Sequence, residues 1–191
     1  MRQPKRELIL ASASPRRREL LDSIGLRYTV DVSRADERFS GSPGEMVSCL
    51  SERKARSVAE RHPSALILAA DTIVSADERN LGKPKDRADA ENMFRKLSGK
   101  WHTVYTGVCL LCDETGWTDR RVAKTRVHFL PIPEEELQDY LDSAEPYDKA
   151  GAYAIQGAAG AFIDAIEGSY SNVVGLPLHL VAMMLRDYKE D

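Results

Sequence analysis

The sequence predicts an α/β protein built on a mixed sheet. Three observations carry that prediction. Short apolar runs at residues 8–11 and 65–70 have the length and composition of buried strands. Segments with helical spacing and defined start and stop residues separate them. Two longer strand-like segments, 102–112 and 117–130, flank Asp113-Glu114-Thr115-Gly116, which reads as a hairpin turn. Strands alternating with helices, plus one hairpin, give an α/β protein with a mixed sheet.

Each element has a local reason. Residues 8–11 make the first strand. Ser14 is a good helix N-cap and Pro15 suits the first helical position, so a helix covers 15–24 until Gly25 stops it. Residues 28–32 read as a second strand. Ser42-Pro43-Gly44-Glu45 opens a long helix reaching about residue 62, with Met46, Val47, Leu50, Ala55, Val58 and Ala59 at roughly helical spacing. Pro63 ends it. Residues 65–70 fit a central strand, which 73–76 extends after the polar pair Asp71-Thr72. Residues 86–97 form a helix closed near Gly99. After the hairpin, residues 133–141 are helical, with Glu134, Glu135 and Glu136 in the first turn. Residues 145–160 read as loop or short helix, 162–166 as strand and 176–188 as a terminal helix. There are no internal repeats.

Bulk composition narrows the function. A chain of 191 residues is long enough for one domain, or two closely joined lobes, with a real core. A net charge of -3 gives no reason to expect a general nucleic-acid or membrane surface, so phosphate recognition must come from local clusters. Cys109 and Cys112 are spaced C-x-x-C, but they fall inside a strand with no second pair, where that spacing points to opposite faces. Structural, reduced thiols fit better than a zinc or redox motif. No stretch approaches the roughly 20 apolar residues of a membrane span, and no leader is evident, so a cytoplasmic protein is expected.

The residues that carry chemistry lie on separate segments. Ser12-Ala13-Ser14-Pro15-Arg16-Arg17-Arg18 gathers hydroxyls and arginines where a strand hands over to a helix N-terminus. Such an end attracts anions, and the arginine fork fits phosphate oxygens. A capped helix with solvated arginines has the same pattern. Asp71 interrupts the most apolar strand, where a carboxylate is costly unless it binds a cation or is hydrogen-bonded. It reads as a metal ligand or general base near a strand's end, or as a strand terminator. Glu37 lies in Arg34-Ala35-Asp36-Glu37-Arg38, a pattern also typical of surface ion pairs. Lys54 lies in Glu52-Arg53-Lys54-Ala55-Arg56, which also describes a solvated helical face. Lys83, between Gly82 and Pro84, projects from a stiff loop. Gln156 precedes Gly157, and its amide both donates and accepts, as reading a base edge requires; a glutamine in an ordinary loop has the same pattern. There is no Walker loop, no Rossmann fingerprint and no H-E-x-x-H. Arginines, lysines and acids on separate segments suit metal-assisted attack of water on a phosphate chain.

These blocks resemble the Maf-type nucleoside triphosphate pyrophosphatases over nearly the whole length. The matching stretches are LILASASPRRRELL from Leu8, ADER from Ala35, SERKA from Ser51, AADTIV from Ala69 and LGKP from Leu81. They continue with RKLSGKWHTVYTGV from Arg95, EPYDKAGAYAIQG from Glu145 and GSYSNVVGLPL from Gly168. The resemblance implies one Maf-type domain over residues 1–191. It also implies a curved mixed sheet flanked by helices, with two lobes and a cleft, as in the inosine triphosphatases. It implies hydrolysis of a nucleoside triphosphate to monophosphate and pyrophosphate, a divalent cation (Mg or Mn), and a homodimer without nucleic-acid or membrane partners.

Arg16, Thr72 and Gln156 match the branch that prefers dTTP and UTP. The branch that prefers 7-methyl-GTP carries tryptophan, glutamine and glutamate there. Carried over, Asp71 is the base or metal-linked acceptor, and Ser12, Arg16, Arg17, Lys54 and Lys83 surround the phosphates. Lys54 and Lys83 thereby join the catalytic set. Glu37 binds the metal with Asp71 or positions water, and Thr72 and Gln156 face the base. At Arg18 the family often carries another polar residue. Ala154 departs from the glycine many relatives carry there. The rival reading is a catalytically silent nucleotide-binding regulator of septum formation. A second rival, purine-selective cleavage, is opposed by Thr72 and Gln156.

Overall fold

The computed structural model describes residues 3–77 and 79–189. Strands β1 (Leu8–Leu10), β2 (Thr29–Val30), β3 (Leu66–Ala76), β4 (Arg79–Leu81), β5 (Trp101–Cys112), β6 (Trp117–Phe129) and β7 (Ile163–Glu167) form one mixed sheet. Its order is β2-β1-β3-β5-β6-β7, with β4 paired to β3. β1 runs parallel to both β2 and β3, with Ile9 opposite Ile67. The β3–β4 and β6–β7 pairs are antiparallel. The helices are α1 (Pro15–Ser23), α2 (Pro43–Ala59), α3 (Arg87–Leu97), α4 (Glu134–Asp142), α5 (Tyr170–Val174) and α6 (Leu178–Asp187). No described helix is long and apolar enough to cross a membrane.

The chain divides into two compact units. The first holds the described residues up to Asp71, Thr106–Ala123 and those from Gly175 on; the second holds the described residues of Thr72–Tyr105 and Lys124–Val174. In the first, Ala55, Val58 and Ala59 of α2 pack on Ile9, Ala11, Ile67, Ala69, Cys109 and Leu111. The strand residues are odd-numbered, as a period of two requires for one face. Cys109 is in this cluster and Cys112 is not, so the two thiols do point to opposite faces, both free and buried. Burial pushes the Cys109 thiol up to about 12. In the second unit, Phe94 of α3 packs against Tyr140 of α4 at 4.8 Å between centroids with the rings tilted, over Val104, Val127, Phe129 and Phe162.

Several boundaries differ from the sequence reading. α2 opens at Ser42-Pro43-Gly44-Glu45 as expected, and a capping box closes its start: Ser42 Oγ accepts from Glu45 N, and the Glu45 carboxylate accepts from Ser42 N. It ends at Ala59, however, and single-turn hydrogen bonds carry the chain on to His62. The second strand shrinks to two residues, with both side chains exposed. β3 is not interrupted at Asp71-Thr72; it runs through them for 11 residues, so Asp71 is mid-strand rather than at a strand's end. β4 and α5 had no strand or helix signal. Residues 145–160 resolve into short 3-10 turns, among them Pro146–Asp148 and Ala150–Ala152.

Candidate active site

In the first unit the candidate residues fall into two clusters. One begins at Ser12, just after β1. Ser14 caps α1 by position, but its side chain makes no capping hydrogen bond. The hydroxyl in use is that of Ser12, which accepts from Ser14 N at 3.3 Å and from Arg17 Nη1 at 3.0 Å. Arg17 Nε donates to the Gly175 carbonyl at 2.8 Å. The arginine is thus held at both ends of its fork, not loosely solvated. Arg16 is half-buried beside it, and the exposed Arg18 turns back to the Ala13 carbonyl at 2.8 Å. No sequence signal pointed to Gly175, which lies 158 positions from Arg17.

The second cluster centres on Lys54. Its position on α2 follows the buried stripe of Leu50 and Val58, one turn away on either side. Lys54 is therefore directed inward, and the solvated-face reading does not hold. By the same parity that places Ile67 and Ala69 under α2, Asp71 faces that helix. Lys54 Nζ donates to Asp71 Oδ1 at 2.6 Å and lies 2.8 Å from Glu37 Oε1. The Lys54 and Asp71 side chains are 14% and 12% exposed, so this pair is poorly screened, whereas Glu37 is 65% exposed.

The ADER segment divides its acids by role. Asp36 pairs with Arg38 in an exposed ion pair, while Glu37 turns to Lys54. Arg53, next to Lys54, donates to the Arg38 carbonyl at 2.9 Å and lies over the Phe39 ring at 5.8 Å. It fixes the loop that carries Glu37, a role the sequence reading missed. Burial lowers the Arg17 pKa; the charges of Asp71 and Glu37 oppose this and that of Arg16 adds to it. The two clusters therefore feel one another's charge.

The second unit holds Thr72, Lys83 and Gln156. Thr72 is half-buried on β3. Val74 pairs with Leu81 across the β3–β4 turn, which sends Gly82 and the exposed Lys83 back in the direction of Thr72. Gly151 N donates to the Gly82 carbonyl at 3.0 Å, tying the lysine loop to the segment that leads to the exposed Gln156. Among the described residues, the non-glycine residues with positive φ are Asp77 and Ala152. Ala154 therefore sits on backbone any residue adopts, and its methyl introduces no strain.

The donors available to a metal are limited. Among the described residues no group of three or more His, Cys, Asp or Glu side chains is placed to hold an ion. Glu37 and Asp71, gathered on one ammonium, are the carboxylates that come together here. That set is too sparse for a zinc cage. It fits Mg or Mn, which take one or two carboxylates and complete their shell with water and substrate phosphate.

Residues 7–188 match the family described as Maf-like protein. A protein named dTTP/UTP pyrophosphatase from Symbiobacterium thermophilum is 49% identical over 184 residues, covering 95% of this chain and 94% of that one. Its namesake from Pelotomaculum thermopropionicum is 46% identical, covering 96% and 97%. The Staphylococcus aureus Ham1 protein superposes with a TM-score of 0.55 at 14% identity, covering 96% of this chain and 100% of that one, which shows a shared fold. With its signature residues on both units and a match over nearly its full length, the chain belongs to the Maf-like protein family.

Proposed function

We propose that this chain hydrolyses dTTP and UTP to the monophosphate and pyrophosphate by attack of water on the α-phosphorus. The observation that carries the reading is the largely buried Lys54–Asp71 pair with Glu37 on the same ammonium, in the unit that also holds Arg17 and Ser12. The names of the relatives support the substrate class. Asp71 accepts the proton of the attacking water or orients it. Lys54 holds the Asp71 carboxylate in place and, with Arg16, Arg17 and Lys83, meets the phosphate oxygens. Ser12 fixes the Arg17 fork. Thr72 and Gln156 face the base. Glu37 and Asp71 would hold a divalent cation, which when bound supplies positive charge for the leaving pyrophosphate. A nucleotide substrate and free thiols at Cys49, Cys109 and Cys112 fit a reducing, cytoplasmic setting.

The test is pyrophosphate release from dTTP, UTP, dCTP, dATP, dGTP and 7-methyl-GTP, with Mg, with Mn and with chelator. The expected result is metal-dependent release, fastest for dTTP and UTP. Tight dTTP binding without release from any nucleotide overturns the enzymatic reading in favour of a silent regulator. A purine preference overturns the assignment of Thr72 and Gln156.

A further inference from the structure

We propose that Glu145 is a positioning residue for base selection: its carboxylate holds the turn that presents Gln156. The inference rests on the reading of Gln156 as the base-recognising side chain. Gln156 itself is exposed. The backbone on either side is held. Gly157 N donates to the Ala154 carbonyl at 3.1 Å, closing a turn with Ile155 and Gln156 at its centre. Directly after the turn, Ala158 N donates to Glu145 Oε2 at 2.9 Å and Ala159 N to Glu145 Oε1 at 3.4 Å. Directly before it, the Tyr153 hydroxyl meets Nε2 of the buried His102 at 2.8 Å.

The Glu145 carboxylate is itself anchored. The Tyr140 hydroxyl donates to Oε1 at 3.0 Å and lies 3.3 Å from the Ala152 carbonyl. The Tyr140 ring is packed against Phe94 and Phe162, so the carboxylate is tied to the core of its unit. Its approach to the turn is close enough that a Cβ at residue 157 would overlap the carboxylate atoms. Gly157 is therefore the counterpart that admits Glu145. Three donors converge on this side chain, and an ionised carboxylate is acceptor-only. A glutamine would turn an NH₂ group towards a backbone N–H or the tyrosine hydroxyl. Charged acceptors also hold backbone N–H groups more strongly than neutral ones. An amide that must reject the wrong base needs this kind of support, because a recognition group left loose adapts to either base.

The experiment compares kcat/KM for dTTP and dGTP in the wild type, Glu145→Gln, Tyr140→Phe, Gln156→Ala and the Glu145→Gln/Gln156→Ala double variant. Circular dichroism and thermal melts establish folding. Glu145→Gln is expected to lower the dTTP/dGTP ratio at least about tenfold. The loss should appear mainly in KM for dTTP, with kcat kept within a few-fold. Tyr140→Phe keeps the packed ring and should shift the ratio the same way, less far. It carries the test if Glu145→Gln does not fold. In the Gln156→Ala background, Glu145→Gln should leave the ratio where it is.

A general structural role would instead lower both nucleotides together. An unchanged ratio in Glu145→Gln, with a lowered one in Gln156→Ala, overturns the proposal alone. So does a further fall in ratio when Glu145→Gln is added to Gln156→Ala. A ratio unchanged in Gln156→Ala overturns the reading of Gln156 itself, and the proposal with it.

Discussion

Asp71 shows what one residue's surroundings add to its identity. A carboxylate in an apolar strand signalled function on cost alone, but its partner was invisible until α2 was folded over it. Asp71→Asn keeps the shape and removes the charge. The expected loss is at least about a hundredfold in rate, the low end for general base catalysis, with a much smaller loss in nucleotide binding. Single-turnover pyrophosphate release and calorimetry would measure the two effects; near-normal turnover by the folded variant removes Asp71 from the role. His102 offers a test of stability rather than of catalysis. Burial pushes its pKa down to about 4 from an ordinary 6.5. Between those values the unfolded chain binds a proton that the folded chain refuses, so stability is full above pH 6.5 and falls as pH drops towards 4. Urea midpoints at pH 8 and pH 5 should fall further for the wild type than for His102→Gln. Equal falls in the two proteins would contradict a buried neutral imidazole.

Elements are where local sequence was most and least informative. The start of α2 at Ser42-Pro43-Gly44-Glu45, the hairpin turn ending at Gly116 with φ 66°, and the helix α3 were all legible, because each depends on neighbours a few positions apart. The length of β3 was not. Asp71 and Thr72 look like a break to any local rule, yet pairing with β4 carries the strand through to Ala76. The terminal helix was legible as α6, but the short α5 before it was not; between them lies Gly175, whose φ of 120° favours glycine and whose carbonyl goes to Arg17. Lys54 was ambiguous for a related reason: its neighbours are charged, and only the stripe of Leu50 and Val58 turns it inward. Where α2 crosses β5, Gly107 lies so close that a Cβ would overlap the Val47 carbonyl and the Ser48 amide. Gly107→Ala should therefore cost about 1–3 kcal/mol or more, since the atoms in the way are helix backbone. Gly44→Ala, on the same helix with no atom within 4 Å, should be neutral or gain up to about 1 kcal/mol. Denaturant midpoints for the pair measure the close approach directly. Equal stabilities would mean that α2 moves away at little cost.

At the scale of the whole molecule, chain order and compact unit do not coincide. β3, β5 and β6 each give residues to both units, so the first is assembled from three separated stretches. Ser12, Arg16, Arg17 and Lys54, proposed to meet the phosphates, and the acids Glu37 and Asp71 belong to that unit. Lys83, Thr72 and Gln156 belong to the other. Composition could not reveal this division, whereas the ordered motif blocks marked both sets of residues without showing which chain stretches fold together. In the proposed reading, base choice rests on residues of the second unit and can be altered without touching the acids. Gln156→Glu puts a carboxylate where a neutral amide stood. It should lower kcat/KM for dTTP, whose O4 cannot donate to it, and penalise 7-methyl-GTP less, because a cationic base suits a carboxylate. Both nucleotides on both proteins give the ratio, and Asp71 provides the control, since its loss should slow both substrates alike. A dTTP/7-methyl-GTP ratio that stays the same in Gln156→Glu would place base recognition on other side chains, while leaving the chemistry assigned to the first unit intact.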